Sequence, residues 1–293
     1  MDSATKSCHK GTFSRCLAVC ALLLGSGWVS YAQAPKGGVA AAVPIVDRLS
    51  ARPQVAAHQG GLHLDANTLK RFEKAREAGA DIIEMDLRET SDGVPVVHHD
   101  ETIGRIIGEG PAINSLTAEE LRAYHAGGGQ PIPTFAEVLA WADGRVVINA
   151  EFKTPEVIAA AVALVQEHDA YEWVYFQCKD DRARYETARA LDARVARLFK
   201  PMSDDDLDWA LGLNDPRLVV IEIDPSMRRP EVIQRAHDGG KLTSYNSWRF
   251  SLTQELFRAV VPKVYELGID IAVTNRPASA VRQRDAWVAE HGR

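Results

Sequence analysis

The stretch that decides the fold reads Asp81-Ile82-Ile83-Glu84-Met85-Asp86-Leu87-Arg88-Glu89-Thr90-Ser91-Asp92-Gly93-Val94-Pro95-Val96-Val97-His98-His99. Its first half alternates. Glu84 and Asp86 are two apart and share one face of a strand, while Ile83, Met85 and Leu87 share the other. Its second half, from Val94, is another short apolar strand, and an Asp-Gly turn joins the two with no room for a helix. That is a hairpin. The apolar row of the first strand has to pack under helices, leaving Glu84 and Asp86 facing an interior near the strand's C-terminal end.

Outward from this hairpin, short apolar runs alternate with helical patterns almost to the end of the chain. Strands are expected over 55–59, 146–153, 173–179, 194–199, 218–224, 241–245 and 269–274. Helical patterns fall between them, among others over 68–78, 135–142, 155–168, 181–191, 204–211, 229–238 and 253–267. Strand–helix alternation argues for a parallel sheet with helices outside it. If the run from Val94 extends the second strand, eight βα units remain. The expectation is an α/β fold: one (β/α)8 TIM barrel over 54–293, with a β-hairpin extension after the second strand.

The chain of 293 residues carries a net charge of −6, which argues against binding nucleic acid through a basic surface. Lys6, Lys10 and Arg15 precede an apolar stretch over 17–24, and Ser30-Tyr31-Ala32 follows with small residues at the −3 and −1 positions. This reads as a signal peptide, 1–32, cleaved near Ala32, and the Ala-, Gly- and Pro-rich residues 33–53 read as a linker. The apolar run is too short for a membrane span of about 20 residues. An exported protein, periplasmic or secreted, is expected. Cys8, Cys16 and Cys20 fall in the leader, so Cys178 stands alone and reads as a small core residue.

Strand periodicity also sorts the chemistry. Val147, Asn149, Glu151 and Lys153 share one face of the next barrel strand. Barrel sites lie at the C-terminal ends of strands, where Glu84, Asp86 and Glu151 converge. Three carboxylates together need a cation, and a hard divalent ion is the natural one. His58 and His99 each end a strand, and two imidazoles beside a metal suit acid/base catalysis on a phosphoester.

The run from His58 through Asp100 resembles the glycerophosphodiester phosphodiesterase family. Its pattern is His-Arg-Gly, Glu-Asn-Thr, Gly-Ala-Asp-x-Ile-Glu-x-Asp and Thr-x-Asp-Gly-x-x-Val-x-x-His-Asp. Gly79-Ala80-Asp81-Ile82-Ile83-Glu84-Met85-Asp86 and the run from Thr90 to Asp100 match closely. Further on, Ile132-Pro133-Thr134-Phe135-Ala136-Glu137, Asn149-Ala150-Glu151-Phe152-Lys153 and Gly268-Ile269-Asp270 are similar to later family motifs. The resemblance implies a barrel in which Glu84, Asp86 and Glu151 bind Mg2+ or Ca2+. It makes His58 and His99 the acid/base pair and gives Lys153 to the substrate phosphate. His63 in the first loop and Arg105 after the His-Asp motif are further candidates for substrate contact.

Three positions depart from the pattern. Gln59 replaces the Arg of His-Arg-Gly, Ala66 the Glu of Glu-Asn-Thr, and Asn275 the Asp of the closing Thr-Asp. Gln59 and Ala66 together remove one positive and one negative charge, which suggests joint loss of a balanced pair with the metal site spared. The implied activity is hydrolysis of small glycerophosphodiesters to glycerol 3-phosphate and an alcohol, with transient lipid contact and no obligate protein partner. The alternatives are a phosphodiesterase acting on intact lipids and a non-catalytic exported binding protein.

Overall fold

The structure, a computed structural model, describes residues 44–104, 109–250 and 260–292. The leader, most of the linker and Arg105 lie outside these residues, as does the first part of the helix expected over 253–267.

Among the described residues the chain forms strands β1 (Gln54–Ala57), β2 (Ile82–Glu89), β3 (Pro95–Val97), β4 (His125–Ala126), β5 (Gln130–Pro131) and β6 (Val147–Phe152). These are followed by β7 (Val174–Gln177), β8 (Ala196–Phe199), β9 (Leu218–Glu222), β10 (Leu242–Asn246) and β11 (Ile271–Thr274). The main sheet runs β1-β11-β10-β9-β8-β7-β6-β2, and β2 pairs with β1 in parallel, so eight strands close into a barrel. β3 pairs antiparallel with β2 in the register Leu87↔Val97, which is the expected hairpin. Strands β4 and β5 form a separate two-stranded ribbon that the sequence pattern did not announce.

The helices are α1 (Ile45–Ser50), α2 (Leu69–Glu77), α3 (Ala118–Leu121), α4 (Phe135–Ala142), α5 (Val157–Glu167), α6 (Arg182–Leu191), α7 (Asp204–Gly212), α8 (Pro230–Asp238), α9 (Val261–Glu266) and α10 (Pro277–His291). Local sequence starts several of them. Thr134 accepts from the Glu137 N–H while the Glu137 carboxylate accepts from Thr134, a capping box, and Thr117 and Glu120 repeat it at α3.

Period-two alternation sorts the core into two shells. Ile83, Met85, Ile148, Ala150, Phe152, Val174 and Phe176 pack outward in one cluster with helix residues such as Phe72, Phe135 and Val162. Ala56, Ile82, Val147, Tyr175 and Leu198 point inward and fill the lower barrel. Ile45 and Leu49 of α1 join that inner cluster with no exposed surface. The linker expected over 33–53 is therefore corrected at its end: residues 45–50 are a helix that closes the bottom of the barrel. Its six residues are too few for a helical repeat to show in sequence. Above this floor the inward positions turn polar, and they turn polar at the C-terminal ends of the strands.

Candidate active site

Glu84 and Asp86 on β2 and Glu151 on β6 occupy the inward row, with Asp86 opposite Glu151 in the β2–β6 register. All three are buried, and their carboxylate oxygens lie within 4.8 Å of one another. Burial, then the charges of Asp86 and Glu151, hold the Glu84 carboxyl well above the usual carboxylate range. Asp86 goes the other way. Burial alone would raise it, but Lys153, His99 and the Asn67 amide outweigh that and hold it low.

Asp86 is the most heavily held of the three. Its Oδ2 accepts from Gln59 Nε2 at 2.7 Å and from Asn67 Nδ2 at 2.9 Å, and its Oδ1 lies 3.4 Å from Lys153 Nζ. Lys153 also sits 2.8 Å from Glu151 Oε1, and Lys179 reaches the same oxygen at 2.8 Å from the end of β7. Burial works to lower the Lys153 ammonium pKa, but Asp86 and Glu151 more than offset it, so the residue is held charged.

The residue that departs from the family pattern at position 59 thus has a defined place. Gln59 has φ +53°, its backbone N–H donates to Glu84 Oε2 at 2.9 Å, and its side chain is spent on Asp86. Gly60 and Gly61 make the turn possible: both have positive φ, and a Cβ would come within 2.9 Å of Phe72 at Gly60 and 3.0 Å of Pro277 at Gly61.

The two histidines flank the acidic cluster. His58 Nδ1 lies 2.8 Å from Asn275 Oδ1, its Nε2 lies 4.0 Å from Glu84 Oε2, and Trp248 packs on its ring at 4.5 Å. Burial lowers the His58 imidazole pKa below its ordinary value, against the Asn275 hydrogen bond. His99 Nδ1 lies 2.7 Å from Asp100 Oδ1, and Arg88 Nε donates to the His99 carbonyl at 3.0 Å, fixing the end of the hairpin.

The structure therefore brings together Glu84, Asp86, Glu151, Lys153, Gln59, His58 and His99. His63 is more peripheral. It pairs with Asp65 at 2.6 Å on an exposed loop beside the cleft. Arg105 lies outside the described residues. Cys178 is fully buried on the outward row, and burial pushes its thiol up to about 12, which makes it a packing residue.

Two residues of the mouth were missed in the sequence. Lys179 has φ +53°, and only the closed barrel shows that it reaches Glu151. Glu222, buried on β9, accepts from Gln177 Nε2 at 2.9 Å and from Asn246 Nδ2 at 3.0 Å. Its signal was available, since Val220, Glu222 and Asp224 alternate as Glu84 and Asp86 do.

The donor set fits a hard divalent cation, which takes carboxylate and amide oxygens. Besides the three carboxylates, Asn67 Oδ1 and Asn149 Oδ1 are buried with no hydrogen-bond partner among the described residues. Asn149 lines the same pocket as Glu84 and Glu151.

A closed parallel barrel with an acidic cluster between two imidazoles at its C-terminal mouth defines the molecule as a barrel of the enzyme type. Residues 58–201 match the model of the glycerophosphoryl diester phosphodiesterase family. A probable glycerophosphodiester phosphodiesterase 2 of Mycobacterium tuberculosis is 33% identical over 143 residues, covering 48% of this chain and 53% of that protein. The chain thus spans about half the length of that relative. A glycerophosphodiester phosphodiesterase of Caldanaerobacter subterraneus is 25% identical over 243 residues, covering 78% of this chain and 96% of that protein. The fold is shared with a glycerophosphoryl diester phosphodiesterase of Parabacteroides distasonis, with TM-score 0.70, 21% identity and coverage of 83% and 92%. An Oleispira antarctica phosphodiesterase, solved with its product sn-glycerol-3-phosphate, has TM-score 0.66, 22% identity and coverage of 81% and 99%.

Proposed function

We propose that the chain is an exported, metal-dependent glycerophosphodiester phosphodiesterase that releases glycerol 3-phosphate and an alcohol. The observation that carries this reading is the convergence of Glu84, Asp86 and Glu151 within 4.8 Å of one another, flanked by His58 and His99. The match of residues 58–201 to the family and the product held by the Oleispira protein support the substrate class. The leader read over 1–32 supports export to the periplasm or medium.

Glu84, Asp86 and Glu151 would hold Mg2+ or Ca2+. When bound, the ion supplies Lewis-acid polarisation of a phosphoryl oxygen. This chain's own groups do the rest. Lys153 and Lys179 offset carboxylate charge and give the substrate phosphate a cationic wall. With Asn275 Oδ1 accepting from His58 Nδ1–H, the Nε2 lone pair of His58 faces the mouth and takes the proton of the attacking hydroxyl. His99, braced through Nδ1 by Asp100, donates to the departing alkoxide. The hydroxyl is water or the substrate's own glycerol 2-OH, and an intermediate from the second route would be opened by the same pair acting in reverse.

An assay against a panel of glycerophosphodiesters, before and after EDTA and with Mg2+ or Ca2+ restored, tests the reading. Turnover that EDTA abolishes and a divalent ion restores is expected. A metal-loaded protein that turns over no phosphodiester would be the binding protein instead.

A further inference from the structure

Among the described residues, six other than glycine have a left-handed backbone: Gln59, Asn67, Asp143, Asp169, Lys179 and Asn214. Asn and Asp adopt that conformation readily, because a short polar side chain can bond to the local backbone. Gln and Lys have no such excuse. Gln59 and Lys179 therefore keep a disfavoured backbone under a long side chain, and both side chains end on the acidic cluster, Gln59 on Asp86 and Lys179 on Glu151. Strain of this kind persists where the surroundings hold it, and it gathers at functional sites. The turn after β7 is held: the Lys179 carbonyl accepts from the Lys200 N–H at 2.9 Å, and the Cys178 carbonyl from the Asp181 N–H at 3.3 Å.

The two lysines on Glu151 are held differently. Both ammoniums lie 2.8 Å from Glu151 Oε1. Lys153 has a second carboxylate, Asp86 Oδ1 at 3.4 Å, and its side chain is 10% exposed. Lys179 reaches only Glu151 among the described carboxylates, and its side chain is 40% exposed. A divalent ion on the same carboxylate would set two ammoniums against it within a few ångströms, in a buried setting where charges act strongly. Lys153 cannot retreat without also leaving Asp86. Lys179 can, because one contact holds it and solvent already reaches it.

Resting on the metal-dependent reading above, we propose that Lys179 and the divalent ion compete for the Glu151 carboxylate, so that loading the ion hands the Lys179 ammonium over to the substrate phosphate. Lys153 stays between Asp86 and Glu151 throughout. Lys179 is then a positioning residue with two partners, an internal cation on Glu151 before loading and a phosphate contact after it. The exchange couples the two ligands: the ion binds against Lys179, and the phosphate binds with it.

Calorimetric titration of the full chain with Mg2+ and with Ca2+ tests this without any turnover. Lys179→Met removes the competing charge and is expected to tighten the ion by about tenfold or more. Lys179→Gly, which suits the left-handed turn, should do the same and keeps the test open if methionine disturbs the fold. The metal-loaded variants are expected to bind sn-glycerol 3-phosphate about tenfold more weakly, for loss of one charged hydrogen bond. The opposite signs are the signature, because a side chain that only held the mouth together would weaken both ligands when removed. An ion affinity unchanged or weakened in both variants, or glycerol 3-phosphate binding that neither variant weakens, would overturn the proposal. Turnover of a glycerophosphodiester, followed in parallel, separates it from the hydrolytic reading. Opposite shifts without turnover keep the exchange and remove the hydrolysis, while EDTA-sensitive turnover without opposite shifts does the reverse. A natural chain that takes up neither ion overturns both.

Discussion

Gln59 shows how much of this site is decided by single side chains. A guanidinium in its place would sit against Asp86, beside the charge already supplied by Lys153. Gln59→Arg alone is therefore expected to weaken divalent-ion binding, and adding Ala66→Glu to recover part of the loss. Metal titration of the four chains of this cycle checks it, with a coupling energy above about 0.5 kcal/mol expected for groups in one network. Additive effects would mean that the two positions changed independently. The acidic row itself was legible from alternation, because Glu84, Asp86 and Glu151 fall on polar faces of strands whose other faces are apolar. Lys179 was not, because its contact with Glu151 joins the ends of two neighbouring strands and exists only once the barrel has closed.

The eight barrel strands were legible because each carries four or more residues of alternating or apolar pattern, and the hairpin because the Asp92-Gly93 turn leaves one way to join β2 to β3. Short elements were not. α1, read as linker, gains its helix from docking under the barrel, where Ile45 and Leu49 have no exposed surface. Leu49→Ala should cost roughly 2–5 kcal/mol, read as a lowered denaturation midpoint, with kcat per folded molecule unchanged because the floor lies at the opposite end from the site. Removing a cap is milder. Thr134→Ala, which opens the capping box at α4, should cost about 0.5–2 kcal/mol in the same measurement.

Across the whole molecule, the outward side of the barrel also carries charge, and there its use is structural. Arg197 on β8 is fully buried and donates to Asp215 Oδ2 at 2.6 Å, while the Tyr185 hydroxyl from α6 donates to the same oxygen at 2.7 Å. Burial would raise the Asp215 pKa, but Tyr185, the Arg217 N–H and Arg197 hold it below the usual carboxylate range. A carboxylate whose folded pKa is depressed adds stability above its unfolded value of about 3.9, and that contribution is lost as pH falls through the lower folded value. Acid titration of stability should therefore be shallower below about pH 4 in Asp215→Asn than in the natural chain. The substitution should also lower stability at neutral pH by removing the charge that faces Arg197.

The inner side of the same barrel concentrates the chemistry at one mouth. Whether that mouth hydrolyses phosphodiesters is tested most directly by following 31P resonances of a glycerophosphodiester with the metal-loaded chain and with His58→Ala and His99→Ala. Hydrolysis by the His58 and His99 pair predicts conversion of the diester signal to that of glycerol 3-phosphate. Each variant should slow it by roughly 10²–10⁴-fold while its metal affinity stays intact. Conversion at the natural rate in either variant would contradict it.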